Sequence, residues 1–396
     1  MQTVTAQSLQ GNYRIQSIDL LRGLVMVIMA LDHVRDFFHS SAQLYDPLDF
    51  SHTSTPIFLT RWITHFCAPV FVFLAGTSAF LTGVRKGKKA LSKFLLTRGI
   101  WLLIVEVIII NFAFSFDWRF SVIGLQTIWA LGISMMFLSF LLYLPKRILL
   151  LLALIIIAGH NKLDNIHVKG NGIDALGWSM LHELNFFRYH PFSILVLYPV
   201  LSWIGVMAAG YCFGELYTKY DAEKRKKILI IIGSKCILLF IVIRFTNWYG
   251  DKSPWDKQQT PLFTILSFIN TTKYPPSLLY ILMTIGPAIL FLAFTEKPLQ
   301  RYGNIIATYG KVPMFYYIIH FFIIHIAAII AALLSGYALN AVINISETGQ
   351  PVLWHGLSLW AVYLVWISIV ALLYPLCKQY AKYKFSHPEK WWLSYL

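Results

Sequence analysis

Residues 14–39, RIQSIDLLRGLVMVIMALDHVRDFFH, decide how this chain is read. The run is apolar through most of its length, and about 20 such residues suffice to cross the hydrocarbon core of a bilayer as a helix. Its far end carries Asp32, His33, Arg35 and Asp36. An ionisable side chain at the centre of a span costs about 2.5–3.5 kcal/mol on insertion scales, so a cluster of them marks a functional site by default. Asp32 follows Ile18 by a rise of about 21 Å at 1.5 Å per residue, which puts the cluster toward one surface. Charge is also tolerated there, because side chains reach the interface. From this segment alone, a functional and an interfacial reading both stand.

The rest of the chain is built alike. Of its 396 residues, 57% are hydrophobic and 13% charged, against about half and a quarter in soluble domains. Repeated apolar runs predict an all-α, polytopic membrane bundle forming a single domain over 1–396, with short tails at 1–17 and 378–396. The formal net charge of +15 does not point to nucleic acid, because the basic residues fall in tight groups between apolar runs: Arg85, Lys86, Lys88, Lys89; Lys224, Arg225, Lys226, Lys227; Lys378, Lys382, Lys384. Such groups mark cytoplasmic loops; attraction of phosphates is a second use. Cys67, Cys212, Cys236 and Cys377 show neither metal-ligand nor disulfide spacing and read as small hydrophobes in packed helices. No cleavable signal is expected ahead of the first run.

Windows of about 19 residues place some ten spans at 18–38, 62–84, 95–114, 122–144, 148–160, 192–217, 228–245, 277–294, 312–334 and 357–377. The fifth is short, but without it the Lys224 cluster would move to the outer side and break the charge rule. With it, both termini are cytoplasmic. The outer loops then run 40–61, 115–121, 161–191, 246–276 and 335–356, the last without Lys or Arg. No internal repeat of the transporter kind is visible. Asn270-Thr271-Thr272 and Asn344-Ile345-Ser346 fit glycosylation triplets, which are common by chance.

Within the first span, Ser17 is placed to cap the helix and Asp19 to favour its first turn, with Arg22 one turn on as an ion-pair partner. Asp32 and Arg35 are likewise i, i+3 neighbours. His33 points about 100° away from Asp32 at 3.6 residues per turn, so its partner should come from another helix. His65, at the matching depth of the second span, is the candidate: a general base with a helper, or an interfacial residue. Glu106, inside WLLIVEVIIINF, needs a cation or a shared proton; a structural partner within the bundle is the favoured reading. The loop segments NWYGDKSPW and NTTKYPPSLL bring Asp251, Lys273, Tyr274 and Ser277 toward the mouth. Tyr316 and Tyr317 lie one turn before His320, so either can hydrogen-bond it.

Together with RIQSIDLLRGLVMVIMALDHVRDFF, the strings ITHFCAPVFVFLAGTSAFL, HPFSILVLYPVLSWIGVMAAGYCFGE, KYPPSLLYILMTIGP and GKVPMFYYIIHFFIIH resemble the bacterial branch of proteins related to the heparan-α-glucosaminide N-acetyltransferase catalytic domain. The likeness runs from Arg14 to about Cys377. It implies a transmembrane acyltransferase that takes an acyl group from cytosolic acyl-CoA, acetyl-CoA being the expected donor, and delivers it to a sugar on the other side. The family's opening motif falls on Ser17, Asp19, Arg22 and Gly23. An asparagine implicated in the lysosomal enzyme's site falls on His33, and an aspartate ahead of its PxFVFxxG string falls on His65. The catalytic histidine of the first luminal loop has only His39 and His52 to match it here, neither convincingly aligned.

The expectation is therefore an inner-membrane acyltransferase acting on an extracytoplasmic glycan, without metal. His33, with His65, Asp32 and Arg35, is expected to do the chemistry. Arg85, Lys88, Lys89, Arg98 and Lys311 are expected to hold CoA phosphates, with Tyr317 and His320 beside the pantetheine arm. Asp251, Lys273, Tyr274 and Ser277 are expected at the acceptor. The rival is a transporter or flippase for a lipid-linked sugar or anion. Partners are the bilayer and the glycan, not nucleic acid; homo-oligomerisation is left open.

Overall fold

In lipid every backbone N–H and C=O must be satisfied within the protein, and this chain does so chiefly with helices. The computed structural model describes residues 15–42, 44–338 and 354–395. The triplet at Asn344 lies outside the described residues, as does most of the loop expected at 335–356.

Helix α1 (Gln16–Phe38) is followed by α2 (Thr55–Ile63), which a single 3-10 turn joins to α3 (Cys67–Lys86). Next come α4 (Lys88–Ile104), a π-helical turn (Val105–Ile110) and α5 (Asn111–Ser115). Strand β1 (Val122–Leu125) leads to α6 (Thr127–Leu141), α7 (Lys146–Gly159) and α8 (Ile173–Leu181). Strands β2 (Asn185–Tyr189) and β3 (Phe192–Val196) precede α9 (Leu201–Phe213), α10 (Leu216–Lys219) and α11 (Ala222–Thr246). The chain continues through α12 (Pro261–Ile269), α13 (Leu278–Phe294), α14 (Arg301–Lys311), α15 (Pro313–Leu334) and α16 (Leu359–Ser386).

Among the described residues, five helical stretches are long and apolar enough to cross a membrane: Thr55–Lys86, Lys88–Ser115, Ala222–Thr246, Pro313–Leu334 and Leu359–Ser386. Thr127–Leu141 and Leu278–Phe294 are shorter apolar helices.

The expectation of an all-helical chain needs correction. A three-stranded sheet of order β1-β3-β2 pairs β1 parallel and β2 antiparallel to β3. The runs expected to begin spans at Val122 and Phe192 are instead these strands. Their β-branched and aromatic residues fit a pleated surface, and Phe187 and Val196 bury a small apolar core there with Leu125 and Ala175. The start of α1 also differs: Ile15 occupies the cap position and no side chain caps the helix, Ser17 lying inside it. Asp19 and Arg22 pair at 3.4 Å, as their spacing predicts.

Helix α1 is the hub, packed by α3, α13, α14, α15 and α16. Its tightest crossing is with α14. A Cβ on Gly23 would lie 2.0 Å from the Ile306 carbonyl oxygen, and one on Gly310 2.0 Å from that of Asp19. Helices α3 and α9 meet similarly, Gly76 against Met207 O and Gly210 against Phe73 O, each at 2.1 Å for the hypothetical Cβ. Where lipid removes the hydrophobic drive between helices, small residues let backbones approach and gain dispersion contacts.

Candidate active site

The C-terminal turns of α1 present two faces. On one, Asp32 accepts from Arg61 Nη1 with both oxygens, at 2.8 and 2.6 Å, and lies 3.1 Å from Arg35 Nη2. The same Arg35 nitrogen donates to Asp36 at 2.5 Å. The spacing identified Arg35; Arg61, brought by α2, went unrecognised, although RW at the start of the second apolar run lies at the same depth. Arg61 Nη2 also reaches the Tyr274 hydroxyl at 3.4 Å, and Lys273 Nζ sits 5.2 Å from the Tyr274 ring centroid. Arg35 is 4% exposed, and its Nε and Nη1 have no hydrogen-bond partner.

On the other face, His33 meets α15. Its ring centroid lies 5.3 Å from that of His320 and 4.2 Å from that of Phe321. Its partner does come from another helix, but that helix is α15 and not the second span. His65 packs edge-on against Tyr280 instead, at 5.4 Å, with both ring nitrogens buried and unpartnered. The reason is the 3-10 turn at Thr64–Phe66, which directs His65 into the α13 contact.

His320 Nδ1 donates to the carbonyl oxygens of Tyr317 (2.5 Å) and Tyr316 (3.1 Å), so the expected tyrosine contact is made by backbone and not by hydroxyl. That bond fixes the proton on Nδ1 and leaves Nε2 a bare, buried acceptor with no partner. His33 Nδ1 is also sealed and unpartnered, while the residue as a whole is half-buried and Nε2 is not among the sealed atoms. The nitrogen of His33 open to a ligand is thus Nε2.

Beside Tyr274 lies a cavity of about 360 Å³, lined by Asp164, His167, His182, Glu183, Lys252, Tyr274 and four further residues. Two imidazoles hold its carboxylates: His182 Nε2 to Asp164 at 2.9 Å and His167 Nδ1 to Glu183 at 2.7 Å. Burial pushes the Asp164 carboxyl up, but hydrogen bonds from His182 and Asn161 outweigh it and leave it below the usual range. Of these residues only Tyr274 stood out in sequence; Asp164, His167, His182 and Glu183 are ordinary loop polar residues until the chain folds.

The remaining expected acceptor residues organise the loop. Asp251 accepts from Ser277 Oγ (2.7 Å), Thr272 Oγ1 (2.7 Å) and the backbone of Thr272 and Ser253. Ser277 caps α13 through Tyr280 N–H. Among the expected phosphate ligands, Lys88 and Lys89 are exposed, Arg85 is exposed with Nε on its own helix carbonyl Leu81, and Lys311 is half-buried at the end of α14. Arg98 donates to the Ser394 carbonyl at 2.5 Å, so the C-terminal turn occupies it. His39 is held by Ser41 and His52 by Asp49.

Glu106 has no cation beside it among the described residues; its partners are backbone groups. Its carboxylate accepts from the backbone N–H groups of Gln126 (3.3 Å), Ile128 (3.0 Å) and Trp129 (3.2 Å). It caps α6 from outside, and the positive charge it needed is the N-terminus of a helix. Arg244, 1% exposed and also unforeseen, donates to the carbonyls of Ser253, Ser267, Phe268 and Asn270, closing the C-terminal end of α12.

A profile of the heparan-alpha-glucosaminide N-acetyltransferase catalytic family matches residues 14–245, which include α1, Arg61 and His65. The chain belongs to this family. A search of curated proteins finds no match. The family is one of acetyltransferases, and the matched region carries three of the five membrane-length helices: Thr55–Lys86, Lys88–Ser115 and Ala222–Thr246. His320, Lys273 and Tyr274 lie beyond the match, so their association with the α1 cluster is a property of the fold. Among the described residues no group of three His, Cys, Asp or Glu is placed to hold a metal ion.

Proposed function

We propose that this protein is a transmembrane acyltransferase that moves an acetyl group from cytosolic acetyl-CoA to a glycan acceptor on the outer side of a bacterial inner membrane. The observation that carries the reading is the open Nε2 of His33, set between the His320 ring and the Asp32–Arg35–Arg61 ion pairs, in a chain of an acetyltransferase family. The topology that goes with it has ten crossings and both termini cytoplasmic, by the charge rule.

In this reading His320 acts as a positioning residue. It holds the His33 ring by packing at 5.3 Å between centroids, and the His33 Nε2 lone pair is assigned as the base. As the acceptor oxygen or nitrogen attacks the thioester carbon, His33 takes its proton. The carbonyl oxygen becomes an oxyanion beside Arg35 or Lys273. Collapse expels the CoA thiolate, which receives that proton from His33. Asp32 holds Arg35 and Arg61 in place. His65 is a secondary electrostatic neighbour. The CoA phosphates are assigned to Arg85, Lys88, Lys89 and Lys311, with Arg98 available once the C-terminal turn moves, and the pantetheine arm to the Tyr317–His320 side of α15. Asp251 and Ser277 shape the acceptor loop that presents Lys273 and Tyr274.

Labelled acetyl-CoA supplied to inside-out vesicles tests this. The expected result is an acetylated product whose formation falls about 10²–10⁴-fold in His33→Ala, with membrane insertion unchanged. Movement of a sugar without modification would favour a transporter instead. Acetylation that survives the substitution would remove His33 from the mechanism while leaving the class intact.

A further inference from the structure

The cavity of about 360 Å³ beside Tyr274 holds an imidazole that the acyl-transfer reading does not use. His182, at the C-cap of α8, lines that cavity and is 3% exposed. Its ring is fixed from several directions. His160 and Trp178 stand edge-on to it, each with its ring centroid 5.8 Å away. Its Nε2 lies 2.9 Å from Asp164 Oδ1. The other Asp164 oxygen accepts from Asn161 Nδ2 at 2.8 Å, and Asn161 Oδ1 accepts from the Leu278 N–H at the start of α13, at 2.9 Å. The N-terminus of α13 thereby sets the amide, the amide sets the carboxylate, and the carboxylate sets the imidazole.

An ionised carboxylate only accepts hydrogen bonds, so the proton of the neutral ring sits on Nε2 and the Nδ1 lone pair is left bare. Among the described residues Nδ1 has no hydrogen-bond partner, and it is not one of the sealed polar atoms. Holding the loop together needs the Nε2 contact alone. A buried ring that keeps its far nitrogen open on a cavity, with a carboxylate orienting it, has the build of an imidazole meant to accept a proton or a hydrogen bond.

The rest of the lining says from what. Glu183 takes His167 Nδ1 on Oε1 at 2.7 Å and has no partner for Oε2 among the described residues. Lys252 Nζ donates to the Tyr274 carbonyl oxygen at 3.3 Å, and an ammonium has donors to spare. The cavity thus offers acceptors at His182 and Glu183 and a donor at Lys252. A cation would serve only the acceptors, and an anion only the donor. A hydroxyl serves both, with one O–H and two lone pairs. The volume lies near the lower end of the range of about 300–1,000 Å³ for small-ligand sites, which suits a single ring.

We propose that this cavity binds a neutral, polyhydroxylated ring of the sugar class, with one hydroxyl donating to His182 Nδ1 and its neighbours exchanging hydrogen bonds with Glu183 and Lys252. Its use as an acceptor subsite rests on the acyltransferase reading; the binding does not, and is measured without turnover.

Isothermal titration of the full-length protein in nanodiscs compares methyl glucoside, methyl galactoside and methyl mannoside with three controls. These are 2-methoxytetrahydropyran (the same ring without hydroxyls), inorganic phosphate and methylammonium. At least one glycoside should bind about tenfold more tightly than every control, the worth of one or two hydrogen bonds. His182→Gln sets an amide nitrogen where Nε2 stood and nothing where Nδ1 stood. It should melt like the wild type and lose about tenfold in glycoside affinity, whereas a residue that only staples the loop would leave binding unchanged. In solid-state NMR of ¹⁵N-histidine-labelled protein in lipid, the His182 signal is assigned through its contact with Trp178. Its Nδ1 resonance should move upfield with the glycoside and stay in place with 2-methoxytetrahydropyran. If His182→Gln fails to fold, this wild-type resonance carries the decision, together with Lys252→Met at an exposed position, which should weaken the glycoside alone. No gain from the hydroxyls, a control binding as tightly as the best glycoside, wild-type affinity in a folded His182→Gln, or an unmoved Nδ1 would overturn the proposal. Absence of acetyl transfer, with the binding pattern intact, would count against the acyltransferase reading alone.

Discussion

At the scale of the residue, buried charges are held by partners that the sequence does not place beside them. Asp32 is the clearest case, its two oxygens gripped by Arg61 from α2 and its helix-mate Arg35 one turn on. Breaking a buried pair by removing one member costs about 3–5 kcal/mol, because the survivor stays charged and unsatisfied. Arg61→Met should therefore lower the thermal midpoint in detergent, and adding Asp32→Asn should recover part of the loss in the same melting assay. Outside the membrane, Asp164 gives a pH signature. Its carboxyl is lowered from 3.8, so the stability it contributes is fully present above that pH and is lost as the pH falls through the lower folded value. Hydrogen exchange across residues 160–184, corrected for the intrinsic pH dependence of amide exchange, should be flat from pH 7 to 5 and rise below about pH 4. No rise there would show that the His182–Asp164 contact is not made in solution. Of this chemistry, the i, i+3 pairs Asp19–Arg22 and Asp32–Arg35 were legible, because helical periodicity alone sets them. Arg61 and His182 were not, because their partners arrive from distant segments.

At the scale of the element, Glu106 and α6 are one unit. The carboxylate satisfies three backbone N–H groups at the start of α6, across the π-turn that it occupies itself. Orphaning a buried donor costs about 1–3 kcal/mol. Glu106→Ala should therefore destabilise the fold substantially, while Glu106→Gln, which keeps an acceptor oxygen, should retain most of the stability; thermal melts of the two variants compare them directly. Equal loss in both would mean that charge and not acceptance is what α6 requires. The sheet belongs to this scale too. Segments that read as the first turns of apolar spans pair as β1 and β3 because their backbones come side by side, and hydropathy windows cannot register pairing across some 70 residues.

At the scale of the molecule, the arrangement rests on α1 as a hub whose two ends differ. One end packs Gly23 against Gly310 of α14, and the other carries the ion pairs and His33. The proposed topology puts these ends on opposite sides of the bilayer. Lys224→Cys and Ser253→Cys, both at exposed positions, provide the check. An impermeant maleimide applied to right-side-out vesicles should label residue 253 and reach residue 224 only after permeabilisation. The reverse pattern would invert the orientation and move the His33 cluster to the cytoplasmic side.

The amino-acid order by itself determined the membrane character, the helical content, the family and the placing of Asp32, His33, Arg35 and Asp36 at one end of a helix. These follow from hydropathy and a 3.6-residue period, both of which act locally along the chain. Only the tertiary structure decided that His33 faces His320 and not His65, that Glu106 caps α6, and that Lys273 comes to the ring of Tyr274. Those outcomes depend on which segments close on one another, and on backbone N–H and C=O groups that every residue carries alike and no residue type reveals.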